Sequence, residues 1–246
     1  MKAITLSAVA LVATAVAQSA SASNWTMTFD GYGLYENVGV RFMNNETWNS
    51  ATAVSGFAGV KAGQHNFSVF GKTYNNYCVQ LFETVGQVGD VHTWCTAALA
   101  DVPDAPPAPG PMGAIKAILV QDLYARFHET VKTSGDSVQH AAFQVVLWEL
   151  THENFAAADA DGALAQADLL AGALQMNGAK ADVLTAANAM LALLGEGGFR
   201  SLGDNLFGLT SESRQDHLVV VPIPGAALLA GVGLLGAGLL RRRMAK

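Results

Sequence analysis

All seven prolines of this chain lie in two places, and they divide it into parts that obey different rules. Five fall in "DVPDAPPAPGPMG", residues 101–113, and two in "VPIPG", residues 221–225. Proline lacks the backbone N–H and fixes φ, so neither stretch is the interior of a strand or helix. The first is a loop or internal boundary. The second separates a domain from an apolar C-terminal run.

Before the first proline cluster the sequence reads as β structure. "NWTMTFDGYGLYENVGVRFM", "AVSGFAGVKAG", "HNFSVFG" and "NNYCVQLFE" are short runs rich in Val, Phe, Tyr, Trp and Thr, broken by Gly and Asn. In the last of them a strand puts Tyr77, Val79 and Leu81 on one face and Cys78, Gln80 and Phe82 on the other. After Met112 the period changes. "MGAIKAILVQDLYARFHETV" carries Ile115, Leu119, Leu123 and Phe127 at helical spacing. "GDSVQHAAFQVVLWELTHE" follows, with Asp136 or Ser137 as N-cap, and the Ala/Leu-rich stretch to Gly198 predicts one or two more helices. "DHLVVV" predicts a closing strand. The expected fold class is therefore α+β: a β-sandwich or barrel-like N-terminal half with a helical subdomain after the Pro-rich loop. The expected limits are mainly β over 24–100, the loop at 101–113, mainly helix over 114–197 and the closing strand near 216–221.

The two ends carry addresses rather than fold. Residues 1–22 run from a basic start through an apolar stretch to small residues, with Ala-x-Ala sites at Ala15–Ala17 and Ala20–Ala22. That order is a secretory signal peptide, with cleavage expected after Ala22. At the other end an apolar, Gly-rich run, Ala226–Leu240, precedes Arg241, Arg242 and Arg243. At about 1.5 Å per residue the run is marginal for roughly 30 Å of hydrocarbon, and the valines before Pro222 lengthen it. The arginines predict a cytoplasmic end for this membrane anchor.

Removing these ends sharpens the charge. The chain has 14 basic and 20 acidic residues, net −6. Five of the basic residues lie in the terminal segments, which hold no acid; nine then face twenty, net −11. An exported domain this acidic has no basic surface for nucleic acid or an anionic membrane.

Few constellations carry chemistry. His140 and His152 are twelve residues apart, too far to share an ion on one helix. His128-Glu129 and His152-Glu153 lack the second His four residues on that a zinc-protease helix requires. His92 stands in an expected loop, "GDVHTWC", near Cys95, but one His and one Cys are not a zinc site. These histidines are expected at the surface or satisfied in the core, and neither a metal nor a cofactor is expected. The Asn-x-Ser/Thr sequons at Asn24, Asn45 and Asn66 are assigned no role.

The cysteines are more informative. Cys78 and Cys95 are the only two, on a chain routed to a compartment that permits disulfides. Gly86 and Gly89 between them allow a hairpin that would close a Cys78–Cys95 bond. The helix "AAFQVVLWEL" offers Cys78 a different partner. Gln144 shares a face with His140 and Trp148 within an apolar stripe. A buried amide there needs hydrogen bonds, since leaving it unpaired costs about 1–3 kcal/mol. The simplest reading is a core glutamine bonded to backbone.

Tyr77-Cys78-Val79-Gln80 and Phe143-Gln144-Val145-Val146-Leu147-Trp148 resemble the two motifs of the thioester domain of bacterial surface adhesins. The resemblance implies an extracellular domain over 23–217 in which Cys78 sulfur and the Gln144 side-chain carbonyl form an internal thioester. Tyr77, Phe143 and Trp148 would support it, and an amine on a surface or matrix partner would be captured covalently. Such chemistry is single-turnover, so the protein is not expected to be an enzyme. The sequence departs from the family at Gln80, where the family usually has an acid. The tail "VPIPGAALLAGVGLLGAGLLRRR" resembles the PEP-CTERM sorting signal, over 221–246. The residues that carry this likeness are Val221, Pro222, Pro224 and the three arginines, with Ile223 in place of the Glu that names the motif. It implies export by a Gram-negative, biofilm-forming bacterium and processing by an exosortase. Two rival readings stay open here. One is a structural matrix protein held by a Cys78–Cys95 disulfide; the other is a glycan-binding module using Trp25, Trp48 and Trp94.

Overall fold

The computed structural model describes residues 23–42, 58–104 and 109–221. The fold is α+β: among the described residues there are one antiparallel sheet of seven strands and four α-helices. The strands are β1 (Asn24–Phe42), β2 (Ala58–Val69), β3 (Lys72–Cys78), β4 (Val91–Ala97), β5 (Leu174–Gly178), β6 (Leu206–Thr210) and β7 (His217–Val220). The helices are α1 (Gly113–Ser134), α2 (Ser137–His152), α3 (Ala160–Leu164) and α4 (Ala181–Leu193). The order across the sheet is β2-β3-β7-β6-β4-β1-β5, and β1 also pairs with β2. Six strands therefore pair in a closed ring, with β5 attached to the far half of β1. Met27, Phe29, Phe67, Val69, Trp94, Leu209 and Val219 fill one core. A larger core lies between the sheet and the helices.

The β1 and β7 runs are where the sequence places them. From Ala58 onward, "AVSGFAGVKAG" and "HNFSVFG" are not two strands but one, β2, which ends at Val69. The glycine between them explains the difference. Gly63 has φ +151, and a Cβ there would lie 2.3 Å from the Leu34 carbonyl. It lets β2 continue through the register shift of β1 between Tyr32 and Tyr35. The run "NNYCVQLFE" is a strand only to Cys78. Three strands lie where none was named. β4 runs through the expected loop "GDVHTWC", β5 is hidden in an Ala/Leu-rich stretch, and β6 comes from "LFGLT".

The helical part is built around α2. Every residue from His140 to His152 is buried, so this helix has no solvent face. Its N-cap is Asp136, whose carboxylate accepts from Val138 N at 2.9 Å. The Ser137 hydroxyl instead donates to Glu36 at 2.6 Å, which ties the start of α2 to β1. Asp122, fully buried on α1, holds the helices to the loop after α4. It accepts from Arg126 Nε and from the backbone N–H groups of Gly195 and Arg200, all within 2.7–2.8 Å.

Candidate functional site

β3 ends against the middle of α2, and the ladder explains what is left over there. β2 and β3 pair only as far as His65↔Asn76. On the other edge Cys78 is opposite His217 of β7, and Val79 N donates to Asp216 O at 2.9 Å. That bond makes Cys78–His217 a non-hydrogen-bonded pair, so the N–H and C=O of Cys78 point away from β7. β2 supplies nothing opposite them, because its ladder with β3 has already ended at His65↔Asn76.

Gln144 takes that place. Its Oε1 accepts from Cys78 N at 3.2 Å, and its Nε2 donates to Cys78 O at 2.8 Å. The same placement brings Cys78 Sγ to 3.8 Å from Oε1. The side chains on either side along the helix complete the contact. His140 Nδ1 lies 2.7 Å from the Tyr77 hydroxyl, and the two rings stack at 6.2 Å. Burial raises the Tyr77 pKa and lowers that of His140, so this hydrogen bond joins two groups that burial favours in their neutral forms. Phe143 packs on Tyr77 at 4.6 Å. His140 and Gln144, one turn apart, thus meet Tyr77 and the Cys78 backbone in turn.

Cys78 and Gln144 are sealed from solvent, at 2 % and 0 % exposure. Burial pushes the Cys78 thiol up to about 12. The nearby Trp148 indole opposes this in part, although its Nε1 makes no hydrogen bond; an N–H dipole close to sulfur favours the thiolate.

Gln80, also fully buried, acts as a joint. Its Oε1 accepts from Asp216 N at 2.8 Å and its Nε2 donates to Asp104 O at 3.3 Å. The Asp216 carboxylate accepts from Asp104 N and Ser211 N, each at 2.8 Å. Burial raises Asp216 to about 8 even so. Sequence reasoning put Asp216 and His217 in the closing strand but gave them no part in the site; only the strand pairing shows that they lie beside Cys78. His217 is fully buried, is held well below the usual His range by burial, and has neither ring nitrogen hydrogen-bonded.

The Cys78–Cys95 disulfide does not form. Both cysteines are free, Cys78 buried and Cys95 exposed on β4. Two strands separate β3 from β4 in either direction around the ring, at about 4.8 Å per spacing. A disulfide requires Cα atoms within about 7 Å. The expected hairpin fails because β7 and β6, from the end of the domain, insert between the two strands. The tryptophan set also comes apart. Trp94 is fully buried in the ring, Trp25 is partly buried, and Trp48 lies outside the described residues.

The histidines singled out in the sequence do not converge. His92 Nε2 accepts from Arg214 at 2.9 Å, and His128 stacks on Tyr124 at 5.3 Å. His152 Nδ1 lies 3.0 Å from Trp148 O. Among the described residues no group of three or more His, Cys, Asp or Glu is placed to hold a metal ion. No helix among them is long and apolar enough to cross a membrane. The expected signal peptide and all of the sorting signal except Val221 lie outside the described residues. Compared with known proteins, the chain matches no family model, no curated protein and no solved structure.

Proposed function

We propose that this chain is an exported surface or biofilm-matrix protein whose Cys78 and Gln144 form an internal thioester that captures amines covalently. The observation that carries the reading is the double hydrogen bond of the Gln144 carboxamide to the Cys78 backbone, with Sγ 3.8 Å from Oε1. The carboxamide carbon is about 1.2 Å from Oε1, so one small side-chain adjustment brings sulfur and carbon together.

The geometry suits each step. Cys78 sulfur attacks the Gln144 carboxamide carbon, and negative charge develops on Oε1. The Cys78 N–H already points at that oxygen, as an oxyanion donor must. Collapse breaks the C–N bond; Nε2 leaves as ammonia, carrying the proton that the thiol gave up. A primary amine on a partner then attacks the thioester carbon. The result is an amide on the Gln144 side chain and a free Cys78 thiol. Turnover stops there, which is adhesion rather than catalysis. Burial against Trp148 and Phe143 keeps bulk water from the bond.

In this reading the six-stranded ring is the barrel-like half of a thioester-type domain, and α1–α4 are its helical subdomain. The C-terminal segment is a membrane anchor and exosortase signal, and no nucleic acid is involved. Peptide mapping after exposure to methylamine tests the site: the adduct is expected on Gln144 alone. Recovery of Gln144 unmodified would contradict it.

A further inference from the structure

One mouth of the strand ring is closed by aromatic rings rather than by a helix. Trp25 meets Phe70, Tyr74 and Phe207 edge-on, at centroid distances of 6.0, 5.6 and 5.7 Å. Trp25, Tyr74 and Phe207 are partly buried, and Val221 packs with them. Phe70 stands out from this face, 76 % exposed. It occupies the two-residue β2–β3 turn with Gly71, closed by the Val69↔Lys72 pair. Both turn residues have positive φ, 51° and 70°. Such a turn favours Asn-Gly, and a bulky aromatic there is both strained and left in water. Neither the ring core nor the Cys78–Gln144 contact uses it.

The chain leaves the described structure at this mouth. Val221 N donates to Asn205 O at 2.9 Å, beside Phe207. Only Pro222–Gly225 separate Val221 from the apolar run that begins at Ala226. Five residue steps reach at most about 18 Å. If Ala226–Leu240 enters a bilayer, the aromatic mouth is held next to its surface. Trp, Tyr and Phe are the side chains that suit the headgroup boundary. The exposed Lys72 beside Phe70 adds a cation for lipid phosphates, while the exposed Asp204 on the same side opposes them.

We infer that the mouth formed by Trp25, Phe70, Tyr74 and Phe207 docks on the membrane interface, with Phe70 as the inserted tip. This rests on the reading of the C-terminal run as an anchor. Docking this way gives the Cys78–Gln144 site a direction. Six residues along β3 separate Lys72 from Cys78, about 20 Å, so the site faces away from the membrane and toward a partner.

The test uses the full chain reconstituted in vesicles of phosphatidylethanolamine and phosphatidylglycerol. Flotation reports the anchor. Vesicles with acyl chains brominated close to the headgroups then report docking. The added fluorescence of Phe70→Trp is expected to fall at least about twofold relative to unbrominated vesicles. That of Leu34→Trp, at the level of Cys78 and exposed, is expected to stay unchanged. A chain that floats while Phe70→Trp is quenched no more than Leu34→Trp overturns the docking but not the anchor. That outcome also covers a mouth that binds a glycan instead. A chain that stays with the unbound protein overturns both.

Discussion

Gln144 meets Cys78 as a neighbouring strand would, accepting from its N–H at 3.2 Å and donating to its carbonyl at 2.8 Å. The contact serves the fold and the chemistry at once. As structure, it satisfies two buried backbone groups at the end of β3. As chemistry, it fixes the amide beside the thiol and leaves Oε1 facing a donor.

The two halves of the pair should therefore differ in what their loss does to stability. Gln144→Ala leaves the Cys78 N–H and C=O buried without partners, at about 1–3 kcal/mol for each unpaired group. Cys78→Ala keeps both hydrogen bonds and is expected to cost about half as much or less. Both variants should lose all amine incorporation. Chemical denaturation alongside methylamine labelling checks the asymmetry; equal losses of stability would argue against the strand-like role of Gln144.

Trp148→Phe retains an aromatic ring in the same place and removes the indole N–H near the sulfur. Burial, offset only by the Cys78 backbone, then sets the Cys78 thiol. The variant is expected to fold and to release ammonia more slowly, by about tenfold for each unit the pKa rises further. An unchanged rate in freshly refolded protein would remove Trp148 from the mechanism.

The Cys78 pKa near 12 also sets a pH dependence. Below that value the thiolate fraction rises about tenfold per pH unit. Ammonia release on refolding should accelerate accordingly from pH 6 to pH 9. A rate that is flat across this window would mean that attack does not depend on the free thiolate.

Glu149, one residue after Trp148, tests the helix itself. Burial and the nearby Glu153 raise its carboxyl to about 8, although Oε1 accepts from Asp168 N at 2.8 Å. The folded protein holds this proton more tightly than the unfolded chain. Its stabilising contribution is present below about pH 4 and is lost as pH rises toward 8. Glu149→Gln stays neutral, so its Tm should match the wild type near pH 5 and exceed it by several degrees at pH 8.5. Thermal melts at the two pH values read this directly.

How much of this was legible in the sequence varies by element. The α+β class, β1, α1, α2 with a cap at Asp136 or Ser137, and the closing strand follow from period and punctuation. β5 was not legible, because "LQMNG" sits in an Ala/Leu-rich stretch and becomes a strand only by pairing with β1. That Cys95 lies out of reach of Cys78 was equally hidden. It depends on β7 and β6 entering the sheet between β3 and β4, a contact from more than a hundred residues away. The place of Asp216 and His217 beside Cys78 was invisible for the same reason, since it comes from that pairing alone.

The most direct measurement of the central claim is the intact mass of the purified mature protein, before and after methylamine. The account predicts a mass lower than the sequence mass by one ammonia, then a gain of one methylamine with the appearance of one new free thiol. A mass equal to that of the unmodified sequence, unchanged by methylamine, would contradict it.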